Sequence, residues 1–170
     1  MIILGIDPGL TATGYGIIET MGLQERMRVI EAGDVRPVRT QPLAKRLETI
    51  HATLSSLLAR HRPDTMVLEK IFTHHHHVTT AAMMGHARGV ACLAAQEHGV
   101  SVAEYPSTQV KRSLSGNGHA SKEQVARMVG QWLGERDEAW SSDATDALAL
   151  AIVHAHHIAR SQQLPAGIVR

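Results

Sequence analysis

The sequence predicts an α/β layered domain whose sheet mixes antiparallel and parallel strands. Three observations carry that expectation. Short β-prone apolar runs occupy the first 34 residues, then the apolar spacing changes to three and four residues, and strand and helix signals alternate from there. The resulting order is β-β-β-α-β-α-β-α-α. A chain of 170 residues, 44% hydrophobic, suits one domain with its own core.

Residues 2–6 form the first strand, which stops at the turn sequence Asp7-Pro8-Gly9. Residues 14–19 and 27–34 follow as two more strands, separated by polar residues, so a meander is expected. Leu43, Leu47, Ile50, Leu54, Leu57 and Leu58 then make the stripe of an amphipathic helix. Pro42 suits its first turn and Pro63 closes it. Residues 65–69 are a short strand without polar alternation, as burial on both faces requires.

Residues 78–98 read as a helix with small side chains at Val78, Ala81, Ala82, Gly85, Gly89, Cys92 and Ala95. Met83, Met84, Val90 and Leu93 cover its other sides, so it is apolar nearly all round. Such a helix is buried from several directions, within the core or partly by a second subunit, and periodicity does not separate these. Residues 100–105 are another strand, and Gly116-Asn117-Gly118 marks a turn. Ser121-Lys122-Glu123-Gln124 matches a capping box that opens a helix. The last helix begins after Ser141-Ser142 and is followed by polar residues. The expected organisation is one domain over 1–160 and a polar tail over 161–170.

Composition removes several classes. The 19% charged residues divide into 17 Lys+Arg and 16 Asp+Glu, which gives no global basic signal for nucleic acid. The longest apolar run, residues 147–153, falls far short of the about 20 residues that span a bilayer. The first residues lack the basic start of a signal peptide, so a cytoplasmic protein with no membrane partner is expected. A single cysteine, Cys92, excludes an internal disulfide framework and a Cys-built zinc site, and it reads as a packing residue. Histidine is abundant at 12 copies, whereas Phe72 is the single Phe.

Four carboxylates stand where chemistry is expected. Asp7 ends the first strand and Glu69 the fourth; in neighbouring parallel strands both emerge at the carboxyl edge, where such folds place ligands. Asp143 and Asp146 are three apart at the start of the last helix and share a face. Gathered together, these groups repel and raise one another's pKa, so they call for cations, and all-oxygen donors suit Mg2+ or Mn2+. Two such ions about 4 Å apart stabilise both the attacking and leaving oxygens of a phosphoryl displacement. Each residue also has an ordinary reading: Asp-Pro-Gly is a common turn, and acids favour a helix N-terminus. The set reaches only as far as a metal site.

Five segments extend the reading: Ile2-Ile3-Leu4-Gly5-Ile6-Asp7-Pro8-Gly9, Leu68-Glu69-Lys70-Ile71-Phe72, Ala87-Arg88-Gly89, Gln109-Val110-Lys111 and Asp143-Ala144-Thr145-Asp146-Ala147-Leu148-Ala149. In this order, from Met1 to about His157, they resemble RuvC-type Holliday junction resolvases. The resemblance implies a ribonuclease H-like fold with a mixed five-stranded sheet flanked by helices, and a homodimeric, divalent-metal endodeoxyribonuclease. It implies two Mg2+ per active site, with Mn2+ as a substitute, held by the catalytic residues Asp7, Glu69, Asp143 and Asp146. The implied substrate is four-way junction DNA, cut by paired symmetric nicks that leave 5′-phosphate ends, beside a branch-migration motor in recombination and repair. Phe72 matches an aromatic that wedges against bases, and Lys111 and Lys122 match basic positions along the scissile strand. Ordinary readings remain a core Phe and two exposed helix lysines.

His74-His75-His76-His77 departs from the family pattern. Four consecutive side chains converge poorly on a metal, so a DNA-facing loop with pH-dependent grip on phosphate is expected. His154, His156 and His157 are expected to be solvated or at the core edge. Three other functions compete. An actin-type ATP-binding domain fits Asp7-x-Gly9-x-Thr11 loosely, but such proteins need two domains. A junction-binding module has no use for four carboxylates facing phosphate. A metal nuclease of the same fold on RNA–DNA hybrids is disfavoured only by the apolar helix at 78–98. Setting the four carboxylates aside leaves 17 basic against 12 acidic residues, so the near-zero net charge averages acids that hold metal with bases that hold phosphate.

Overall fold

Strand β1 (Ile2–Asp7) lies in the middle of the sheet, and the rest of the chain is built outward from it. The computed structural model describes residues 1–21, 26–70, 78–134 and 140–163. On one side β1 pairs antiparallel with β2 (Thr13–Met21), which pairs antiparallel with β3 (Arg26–Val35). On the other side β1 pairs parallel with β4 (Thr65–Lys70), and β4 parallel with β5 (Ser101–Pro106). The order β3-β2-β1-β4-β5 is a five-stranded mixed sheet, as the sequence led us to expect.

The helices are α1 (Leu43–His61), α2 (Val78–Glu97), α3 (Ser107–Ser115), α4 (Lys122–Leu133) and α5 (Ser142–Gln163). Alternation along the strands divides the core between the two faces of the sheet. Leu4, Ile6, Ile17, Met66 and Leu68 pack with Ile50, Leu54 and Leu58 of α1 and Ala87, Ala91 and Ala94 of α2. Ile3, Ile18 and Val67 point the other way, towards Val110, Val125, Val129, Leu148 and Ile152 of α3, α4 and α5. Among the described residues no helix is long and apolar enough to cross a membrane.

The structure departs from expectation in two places and narrows it in a third. Helix α3 is absent from the sequence-derived order, because nine residues carry only Val110 and Leu114 as buried anchors. It starts directly after Pro106 and ends at Gly116, whose φ of 76° suits glycine. Helix α2 is the narrowed case, since of the two readings left open, core or partly a second subunit, the chain itself buries only one of its faces. Ala87, Ala91, Ala94 and Ala95 are buried, while Met83 and Leu93 are exposed and Gly85 and Gly89 face open space. His154 and His156 are buried rather than solvated, because α5 is inserted between the sheet and α4. The Tyr105 hydroxyl lies 2.9 Å from His154 Nδ1, and Trp132 stacks edge-on against His156 at 4.3 Å. Phe72 and the His74-His75-His76-His77 run lie outside the described residues.

Candidate active site

Parallel pairing brings the first two carboxylates together. Ile6 stands opposite Leu68 in the β1–β4 register, so Asp7 and Glu69 follow side by side where the two strands end. Strand β5 lies beyond β4, with Glu69 opposite Tyr105, and leads through Pro106 into α3. That turn sets Ser107, whose side chain hydrogen-bonds the Glu69 carboxylate, and one turn later Lys111. The backbone of Glu69 is held as well, since Arg88 Nη1 on α2 donates to its carbonyl at 2.7 Å.

The third carboxylate arrives because α5 sits unusually close to the sheet. Gly5 and Gly16 are register partners on β1 and β2, and Gly14 stands opposite Asp7. A Cβ on Gly5 would lie 1.9 Å from the carbonyl oxygen of Ala147, and one on Gly14 would lie 2.0 Å from that of Asp143. Without side chains these glycines form a trough into which the α5 backbone fits. The start of α5 is fixed by Ser141, whose Oγ accepts from the Ala144 amide at 3.0 Å and donates to Asp34 Oδ1 at 2.5 Å. The capping box at Ser121 forms as expected, with Ser121 Oγ accepting from the Gln124 amide, and α4 thereby presents Lys122.

Asp7, Glu69 and Asp146 line one cavity of about 300 Å3, with Ser107, Lys111 and Lys122 on its walls. Asp143 lines a neighbouring groove instead, one helical turn away. Lys122 Nζ lies 3.4 Å from Asp146 Oδ2. Among the described residues no three His, Cys, Asp or Glu side chains stand close enough to form a ready-made metal cage. Burial raises the Asp7 pKa to about 7, helped by repulsion from Asp146, Glu69 and Asp143. Burial also raises Glu69, against the opposing hydrogen bond from Ser107, and raises Asp146 despite Lys122. The cavity therefore holds more acid than its lysines neutralise, all with hard oxygen donors, which fits a divalent cation such as Mg2+.

Ser107, Arg88 and the glycine trough were not singled out as site features from sequence. Ser107 belongs to the helix that the periodicity missed. The spacing of Gly14 and Gly16, both on one side of β2, was the signal available for the trough.

The profile of a family described as crossover junction endodeoxyribonuclease RuvC matches residues 3–154. The RuvC of Bradyrhizobium diazoefficiens is 46% identical over 155 residues, covering 91% of this chain and 86% of the relative. That of Rhodopirellula baltica is 42% identical over 159 residues, covering 94% and 88%. The fold matches Thermus thermophilus RuvC with a TM-score of 0.87 at 36% identity, covering 95% of this chain and 97% of that one. The same protein solved in complex with a Holliday junction substrate matches equally well, with a TM-score of 0.87. The yeast mitochondrial Holliday junction resolvase Ydc2, 8% identical with a TM-score of 0.62, shares the fold. With the acidic cavity on such a sheet and the match running through almost its whole length, this chain belongs to the RuvC family of crossover junction endodeoxyribonucleases.

Proposed function

We propose that this chain resolves four-way DNA junctions by paired symmetric nicks, in recombination and repair. The observation that carries the reading is the meeting of Asp7, Glu69 and Asp146 on one cavity whose walls also bear Lys111 and Lys122. Asp7, Glu69 and Asp146, with Asp143 from the adjoining groove, would hold two Mg2+ per site, or Mn2+ in their place. When bound, the cations supply Lewis-acid chemistry to the scissile phosphodiester and to the attacking water, leaving a 5′-phosphate end.

The chain's own groups do the rest. Lys111 and Lys122 attract the phosphate and offset its charge during displacement. Ser107 and Arg88 fix Glu69 from its carboxylate and its backbone. Asp7 carries a proton for part of the time near neutral pH, which a bound cation would displace. Phe72 stacks on bases at the crossover.

Paired nicks need two sites, hence a homodimer. The exposed Met83 and Leu93 beside the open Gly85 and Gly89 on α2 support that assembly. A branch-migration motor is the further partner, and the cytoplasm is where this work takes place.

The test is a mobile four-way junction mixed with the purified protein, with and without Mg2+. Paired symmetric nicks that disappear in Asp7→Asn are expected. Binding without cutting in either condition would leave a junction-binding module, and cutting confined to RNA–DNA hybrids would replace the substrate. Phe72→Ala is expected to reduce cleavage more than junction affinity. An equal loss in both assays removes its wedge role.

A further inference from the structure

On the far side of Asp143 from the catalytic cavity lies a second, larger groove of about 680 Å3. Three separate segments give it arginines or hydrogen-bonding groups: Thr11 from the loop after β1, Arg36 and Arg39 from the segment after β3, and Arg46 from α1. Met83 and Met84 of α2 close it, at the edge of the face proposed for the dimer. Three guanidinium groups on one groove are a local concentration of charge in a chain whose formal net charge is only +1.

The fold leaves much of that charge available. Arg46 Nη2 donates to the carbonyl oxygen of Leu10 at 2.8 Å, while its Nε is buried without an acceptor. A neutral carbonyl fixes this side chain without cancelling its charge. Arg36 sits 2.8 Å from Asp34 but remains 59% exposed, and that carboxylate also accepts from Ser141. Arg39 is exposed, with no ion pair among the described residues. Asp143 stands on the groove wall, one carboxylate against three guanidinium groups.

The position narrows the ligand. Gly9 lines this groove two residues after Asp7 lines the catalytic cavity, and Asp143 and Asp146 face the two spaces from adjacent turns of α5. A polymer with its scissile phosphate in the first space has the second within reach of its flanking phosphates. Arginine forks pair well with phosphate oxygens. We infer that this groove holds the sugar-phosphate backbone flanking the cut, with Arg36, Arg39 and Arg46 neutralising its phosphates. The inference rests on the nuclease reading above and adds to it a second anchoring surface, on the side opposite Lys111 and Lys122.

The experiment is junction affinity in EDTA, where no cutting occurs, measured by fluorescence anisotropy between 50 and about 200 mM salt. Each phosphate contact contributes about 0.7–0.9 to the slope of log affinity against log salt. Arg39→Gln and Arg46→Gln are each expected to flatten the slope by that amount and weaken binding several-fold near about 0.1 M salt. Arg46→Lys retains the slope. Arg28→Gln, which removes a β3 charge paired with Glu19, serves as the control and leaves it unchanged. Thermal melts identify a variant that fails to fold, and the exposed Arg39 keeps the test standing if Arg46→Gln does so.

Wild-type slopes in folded Arg39→Gln and Arg46→Gln overturn the inference. So does a wild-type slope with altered sedimentation, which makes the groove a contact between subunits. A wild-type protein that neither binds nor nicks the junction defeats the proposed function itself, a result distinct from both.

Discussion

Asp7 has a pKa of about 7 in the folded chain, against 3.8 as the ordinary value. Between these values the folded state keeps a proton that the unfolded state has lost, so metal-free stability falls as pH rises from about 4 to 7 and then levels. Asp7→Asn is expected to remove this dependence and to stabilise the metal-free protein at pH 8 by on the order of 1–3 kcal/mol. Denaturant titrations at pH 5 and pH 8 check it; equal gains at both would show that the carboxylate is not strained by ionisation. Saturating Mg2+ should raise the wild-type melting temperature and leave Asp7→Asn less affected. Asp7 and Glu69 were legible in the sequence because a strand ends at a definite edge. The division between Asp143 and Asp146 was not. Three residues along a helix turn the side chain by about 300° and advance it about 4.5 Å, and at a cavity wall that offset separates two spaces. The buried positions of His154 and His156 escaped for a related reason, since Tyr105 of β5 and Trp132 of α4 cover two different faces of α5 that no pattern in α5 itself reveals.

Among the elements, the strands and long helices were readable because their apolar periods are long enough to be distinctive. Helix α3 was not, with two anchors in nine residues. It nevertheless carries Ser107 and Lys111 to the cavity, so the missing element cost the sequence reading part of the site. The glycine trough beneath α5 gives the strongest prediction at this scale. At Gly5 an added Cβ meets backbone, the Ala147 carbonyl, which no rotamer change relieves. Gly5→Ala is expected to cost about 2–4 kcal/mol, measured by chemical denaturation, or to prevent folding outright. Gly85→Ala on α2, where no atom of the same chain lies within 4 Å of the added carbon, is the matched control and should leave the fold of the chain itself intact.

At the scale of the molecule, α2 turns a small-residue, apolar face outward beside the core it shares with α1. The sequence showed a helix apolar on all sides, and only the fold shows which side the chain itself covers. Gly85→Glu is therefore expected to convert a dimer to monomer in sedimentation while leaving the melting temperature within a few degrees. An unchanged mass with an unchanged fold would place the subunit contact elsewhere. The central position of β1 has a further consequence. Of the five described strands it is the first in chain order, and β2 supplies its antiparallel partner at once, yet the cavity beside Asp7 needs β4 for Glu69 and α5 for Asp146. A nascent chain thus carries its acids for most of translation without the wall that gathers them. Any cutting activity appears only when the last helix settles into the trough, so a truncated translation product is a safe one.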